Sequence, residues 1–225
     1  MNIIAIETAT PVCAVALRSA TGDVVRVLDH DRRHTEVLAA GLSDLLAESS
    51  LVARDLDRVV VDVGPGLFTG LRVGIATAIG LSEGLGCGVV AVTSLELLAY
   101  GAHVRGVRGT VLAAVDGRRG EVFVQRFTLD ESVRVVSEPE VRVARDVVIE
   151  CSASNEAVTF TGDGVQRYRE DFGSVRGGTI LDETVPSMTA ALELGATREL
   201  AATLSPLYLR EADAVANFST RSRPA

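Results

Sequence analysis

The same order of hydrophobic segments occurs twice along the 225-residue chain, and that repetition limits the fold more than any single motif does. In the first half, a β-branched run at 3–7 ends on an acid, Glu7, followed by the turn-forming Thr8-Ala9-Thr10-Pro11. Strand patterns at 13–17 and 24–28, separated by Ala20-Thr21-Gly22-Asp23, complete a three-stranded meander. Residues 35–49 place Leu38, Leu42, Leu45 and Leu46 on one helical face, with His34 or Thr35 near the N-cap. A buried-type strand at 58–63 enters Gly64-Pro65-Gly66, after which a helix is expected over 69–84, a strand over 89–92 and a short helix over 94–101.

The second half follows the same plan. A strand at 110–115 ends at Asp116, Gly117-Arg118-Arg119-Gly120 turns the chain, and strands are expected at 121–127 and 133–136. A helix at 144–151 and a strand at 158–161 lead to Gly162-Asp163-Gly164, placed like Gly64-Pro65-Gly66. A helix at 165–172, a strand at 179–181 and a long helix at 187–203 follow. The duplication lies in the order of elements, since the two halves share little sequence.

An antiparallel meander joined to parallel strands with covering helices makes each half an α/β unit. Two in tandem suggest RNase H-like lobes in the bilobed architecture of the actin, hexokinase and Hsp70 ATPase superfamily. There the acid ending the first strand of each half faces an interlobe cleft, and Glu7 and Asp116 take those positions here. The expected division is a first lobe at 1–102, a second at 103–204, and a docking segment and tail at 205–225. The segment 101–109 has no apolar period and suits the boundary.

Composition narrows the classes. With 47% hydrophobic and 23% charged residues the chain is globular rather than disordered. A net charge of −8 excludes a free-standing, non-specific nucleic-acid binder, which needs a basic face to displace counterions. All 22 basic residues are Arg, a bias that suits a GC-rich genome and carries no function. Cys13, Cys87 and Cys151 are far apart, lack C-x-x-C spacing, and read as small buried hydrophobes in a reducing compartment. The first residues lack the basic start of a signal peptide, and the apolar stretch 73–92 is broken by Glu83 and five glycines. A cytoplasmic protein without a membrane span is expected.

Gly64-Pro65-Gly66-Leu67-Phe68-Thr69-Gly70-Leu71-Arg72-Val73-Gly74 is the most informative segment. Two readings stay open. Glycines between strand and helix let a backbone approach an anion at the helix N-terminus, with Arg72 adding a fork of donors. Alternatively they form a tight turn and a bare helix surface. The spacing matches neither a Walker A loop nor G-x-G-x-x-G. Gly70, Gly74, Gly80 and Gly84 in one helix suggest close packing against another helix, since each weakens the helix by roughly 1 kcal/mol relative to Ala.

With Ile6-Glu7-Thr8, Arg33-His34-Thr35-Glu36, Val92-Thr93-Ser94-Leu95-Glu96 and Pro206-Leu207-Tyr208-Leu209-Arg210, this segment resembles the TsaB (YeaZ) family over nearly the whole chain. The resemblance implies a two-lobed actin-like fold and a non-catalytic paralogue of TsaD, which transfers threonylcarbamoyl to an adenosine beside the tRNA anticodon. It further implies partnership with TsaD and the ATPase TsaE, ATP and metal belonging to those partners, and a homodimer in the absence of TsaD. Contact with tRNA is expected only through the complex. The partner face is expected on the helices at 35–49 and 69–84, through Leu38, Leu42, Leu45, Gly70, Val73, Gly74 and Thr77.

TsaD-like proteins carry an H-x-x-x-H metal pair after the glycine helix and the next strand. Here those positions are Ser94 and Leu98, and neither offers an imidazole. His30-Asp31-Arg32-Arg33-His34 has the H-x-x-x-H spacing, but it sits at a strand-to-helix junction with two repelling Arg, so a solvated loop is expected. Asp116-Gly117-Arg118-Arg119-Gly120-Glu121 reads as a charged turn or a phosphate-facing hairpin, and Arg210, Arg221 and Arg223 as a tail able to meet phosphates. The alternative function is a nucleotide-dependent phosphotransferase or hydrolase in the cleft, with Glu7 and Asp116 holding Mg²⁺.

Overall fold

The computed structural model describes residues 1–28, 34–154 and 156–210. The first half supplies β1 (Ile3–Glu7), β2 (Ala14–Ser19), β3 (Gly22–Val27), α1 (His34–Glu48), β4 (Arg58–Asp62), α2 (Phe68–Leu85), β5 (Gly88–Val92) and α3 (Ser94–Val104). The second supplies β6 (Gly109–Arg118), β7 (Glu121–Leu129), β8 (Val133–Val135), β9 (Glu140–Val143), α4 (Ala144–Ser154), β10 (Val158–Thr161), α5 (Asp163–Arg167), α6 (Arg169–Gly173), β11 (Gly178–Ile180) and α7 (Met188–Thr197).

The first sheet runs β3-β2-β1-β4-β5, and the second runs β11-β10-β6-β7-β8 with β9 also pairing β7. In both, the first three strands are antiparallel and the fourth and fifth are parallel to the first. This third-second-first-fourth-fifth order, used twice, is the RNase H-like plan of the actin, hexokinase and Hsp70 ATPase superfamily. The parallel register of β1 and β4 ends at Ile6 opposite Val61, so Glu7 and Asp62 come next on neighbouring strands.

Alternate residues of a strand point to opposite faces, and β1 is buried on both. Ile4, Ile6, Val59 and Val61 meet α1 and α2, while Ile3, Ala5 and Val60 meet α7. The second sheet is likewise covered, by α4, α5 and α6 on one face and by α3 on the other. The halves therefore exchange their last helices: α3 packs on Val111, Ala113 and Phe127, and α7 on β1 and β2. A division at 102/103 falls within α3.

Three elements differ from the sequence reading. The helix expected at 187–203 spans only Met188–Thr197, because Arg58 donates to the carbonyls of Gly195 and Arg198 at 2.9 and 3.0 Å. Beyond it the chain extends along β5, with Ala201 N–H donating to Val89 O at 2.8 Å. The helix expected at 165–172 breaks at Tyr168, whose φ of −112° is not helical. β9 has a short polar alternation, Glu-Val-Arg-Val, that hides its pairing with β7.

Candidate partner-binding face and strand-end acids

Leu38, Leu42 and Leu45 are 2%, 6% and 0% exposed and pack on Ile4, Val15 and Val61. This corrects their expected role: the apolar stripe of α1 is the face the sheet takes, which leaves Leu42 and Leu45 unavailable to a partner. Leu38 retains an edge in an open groove of about 490 Å³ between α1 and α2, shared with Ala39, Arg72, Val73, Ala76 and Thr77.

Gly70 and Gly74 also serve the chain's own packing. A Cβ at Gly70 would collide with the Thr8 carbonyl oxygen, and one at Gly74 with Thr8 Oγ1. Likewise Gly66 lies against the Ala9 carbonyl, and Leu67 N–H donates to it at 2.6 Å. The glycines thus seat α2 on the turn after β1, which favours the close-packing reading over an anion cradle. Val73 and Thr77 are half-buried, with Thr77 Oγ1 donating to Val73 O at 2.8 Å.

The exposed side of α2 is different. Ala76, Gly80 and Gly84 stand four residues apart on one helical strip. A Cβ at Gly80 or Gly84 would meet nothing within 4 Å, so internal packing gives no reason for either glycine. Ile79 beside them is 36% exposed.

The C-terminal segment borders this face. Leu207 N–H donates to Val63 O at 2.7 Å, and the Tyr208 ring stacks on Phe68 at 4.9 Å. Arg72 lies over the other residue of that stack, 3.7 Å from the Phe68 centroid, and its Nε donates to the Tyr208 hydroxyl at 3.1 Å. Arg210 pairs with Glu121; Arg221 and Arg223 lie outside the described residues.

Glu7 and Asp116 each find their partners within their own half. Glu7 is fully buried, and its Oε1 accepts from Thr10 N–H and Oγ1 at 2.9 and 3.0 Å. Its neighbour is Asp62, whose Oδ1 accepts from Gly64 N–H at 2.7 Å. Burial, then the charge of Glu7, pushes the Asp62 carboxyl well above the usual range. Asp116 accepts from Arg118 N–H at 2.9 Å and pairs with the guanidinia of Arg118 and Arg167 at 3.3 and 3.5 Å. Its own N–H donates to Asp163 at 3.0 Å, and burial pushes the Asp163 carboxyl up to about 6. Each strand-end acid thus has a second carboxylate beside it, Asp62 next to Glu7 and Asp163 next to Asp116. The sequence carried a signal for each second carboxylate: Asp62 ends β4, and Asp163 follows β10.

Ser94 and Leu98 are both buried; Ser94 Oγ donates to Pro65 O at 2.9 Å, and Leu98 packs in the core under α3. His34 opens α1, with Nε2 3.4 Å from Pro11 O, and 30–33 lie outside the described residues. Cys13 and Cys151 are buried and Cys87 is half-buried. Among the described residues no three or more His, Cys, Asp or Glu are grouped to hold a metal. None of the described helices is long and apolar enough to cross a membrane.

A family model described as TsaD, tRNA N6-adenosine threonylcarbamoyltransferase, matches residues 28–215. The tRNA threonylcarbamoyladenosine biosynthesis protein TsaB of Escherichia coli is 36% identical over 132 residues, 59% of this chain and 57% of that protein. The chain belongs to the TsaB (YeaZ) branch of this family. TsaB of Bacillus subtilis is 28% identical over 97% of this chain and 98% of its own length. A Pseudomonas aeruginosa crystal structure, described as an uncharacterized protein with similarity to peptidase YeaZ, superposes with a TM-score of 0.81. It is 27% identical and covers 93% of this chain and 99% of its own. The matched stretch spans less than two thirds of the E. coli TsaB.

Proposed function

We propose that the chain is a non-catalytic subunit of tRNA threonylcarbamoyladenosine formation, binding a TsaD-like transferase through the exposed side of α2 and the groove beside α1. The observation that carries this reading is the strip Ala76-Gly80-Gly84. Its glycines face open space, so their small size serves an approach by a helix from outside the chain. In the absence of that partner the same strip pairs two copies of the chain. ATP and metal belong to the TsaD-like and TsaE-like partners, tRNA is met through the complex, and the assembly works in the cytoplasm.

The occupancy of the strand-end acids supports a non-catalytic role. Asp116 is paired with the guanidinia of Arg118 and Arg167, which compete with any cation for its carboxylate. Glu7 has no exposed surface to offer a nucleotide. A phosphotransferase working through these two acids is correspondingly disfavoured.

The test replaces Gly80 by Leu and mixes the chain with purified TsaD-like and TsaE-like proteins, ATP, threonylcarbamoyl-adenylate as the activated donor, and tRNA. Complex formation and adenosine modification are expected to fall at least tenfold, while the isolated variant, diluted until both chains are monomeric, melts no lower than the parent. Unchanged assembly and modification would remove α2 from the interface. ATP turnover by the isolated chain, lost on Asp116→Asn, would favour the phosphotransferase instead.

A further inference from the structure

We infer that Glu7 and Asp62 share a single proton, and that this proton pins together the two backbone segments on which the N-terminus of α2 is seated. The inference does not depend on which partner α2 meets.

The geometry starts from register. Ile6 pairs with Val61 across parallel strands, so Glu7 and Asp62 are side by side at the sheet's end, and both are 0% exposed. Each spends one oxygen on the local backbone: Glu7 Oε1 on Thr10, and Asp62 Oδ1 on Gly64. Their other oxygens, Glu7 Oε2 and Asp62 Oδ2, are buried and receive no donor among the described residues. Two ionised carboxylates here would leave two orphan acceptors and two like charges out of water. One proton turns the same two oxygens into a donor and an acceptor.

Among the described residues, the groups facing the pair offer no other neutraliser. They are Thr10 from the turn after β1, the Gly64 N–H, the Ser94 hydroxyl at the start of α3, and the Cys13 thiol just before β2. None carries positive charge. The Cys13 thiol is pushed up to about 12, first by burial and then by the charge of Glu7, so it adds no second ionised group beside the pair. Burial and the neighbouring Glu7 oppose ionisation of the Asp62 carboxyl, and the shared proton lies between Asp62 Oδ2 and Glu7 Oε2, the two oxygens left without a partner.

The seat of α2 is built from the chain immediately after each acid. Thr8 and Ala9 follow Glu7 and receive Gly70, Gly74 and Gly66, while Gly64 and Pro65 follow Asp62 and are held from α3 by Ser94. With the proton present, β1 and β4 are tied at their ends. Once it leaves, like charges push those ends apart and loosen the loop under α2.

Carboxyl-detected NMR on the full chain tests this. The Asp62 side-chain carbon is expected to titrate well above ordinary aspartates, and backbone amides of 64–74 to shift with the same midpoint. Asp62→Asn keeps a neutral donor and is expected to preserve the wild-type amide positions at neutral pH while abolishing that midpoint. The slope that Asp163 contributes is common to both proteins and cancels in the comparison. An Asp62 carbon titrating with the exposed aspartates, or an Asn variant retaining the midpoint at 64–74, would overturn the proposal. If Asp62→Asn does not fold, the wild-type carboxyl titration decides alone.

Discussion

Gly74 lies so close to Thr8 that a Cβ on it would take the place of the Thr8 hydroxyl oxygen, the atom that donates to Gly70 O at 2.8 Å. Adding one methyl there forces α2 off the turn after β1. Gly74→Ala should cost about 1–3 kcal/mol, as overpacking does. Gly80→Ala, where the added Cβ meets nothing within 4 Å, should instead stabilise by up to about 1 kcal/mol by removing a helical glycine. Urea denaturation of the isolated chain reads both. Equal effects of the two alanines would mean the Thr8 seat is not as close as described. The contrast also makes Gly80, and not Gly74, the clean probe of binding.

Leu45 and Ile79 separate core from face in the same way. Leu45 is 0% exposed and Ile79 is 36% exposed. Leu45→Ala should cost about 2–5 kcal/mol by leaving a cavity, and Ile79→Ala less than about 1 kcal/mol. In a pull-down with the TsaD-like partner the order should reverse, with the folded Ile79→Ala chain the weaker binder. An Ile79→Ala chain that binds as well as the parent would place the contact elsewhere.

Asp163 gives the second lobe a pH dependence. Its folded pKa of about 6 lies above that of an unfolded aspartate, so the folded state holds a proton that the unfolded state has already lost. Stability from this group is complete below the unfolded pKa, falls as pH rises toward about 6, and is level beyond. The loss should reach about 3 kcal/mol at most, at 1.36 kcal/mol per unit. Thermal melts of wild type and Asp163→Asn between pH 4 and 7 should diverge only across that window. Parallel curves would mean Asp163 ionises normally in the folded chain.

Tyr208 fastens the C-terminal segment beside the candidate face. Tyr208→Ala removes both the stack on Phe68 and the acceptor for Arg72 Nε, whereas Tyr208→Phe removes only the latter. Limited proteolysis should cut the Ala variant near residues 203–210 several-fold faster than wild type, with Phe in between. Identical cleavage of all three would show that the backbone bonds of Ala201 and Leu207 hold the segment unaided.

Order of elements, both meanders and the glycine turn were legible because apolar periodicity and turn residues are local signals. So were Glu7 and Asp116 as strand-ending acids. What those acids meet was not legible, since Asp62 reaches Glu7 only through strand register 55 residues away. The leucines of α1 show a second limit: periodicity marks one apolar stripe but does not say whether sheet or partner takes it. The short α7 shows a third. Leu200 and Leu204 continue an apolar pattern, yet Arg58 closes the helix at Gly195 and Arg198 from a strand far back in sequence.

The exchange of α3 and α7 bears on how the chain comes off the ribosome. Once residue 104 has been made, every strand of the first sheet is present, yet the face carrying Ile3, Ala5 and Val60 remains bare. Its cover, Met188–Thr197, is synthesised more than eighty residues later. Meanwhile α3 is complete before any strand of the sheet it covers. Each half takes part of its core's cover from the other, so the two are expected to close together. Fragments cut near residue 106 would each expose a sticky apolar sheet face and be soluble only when they find one another.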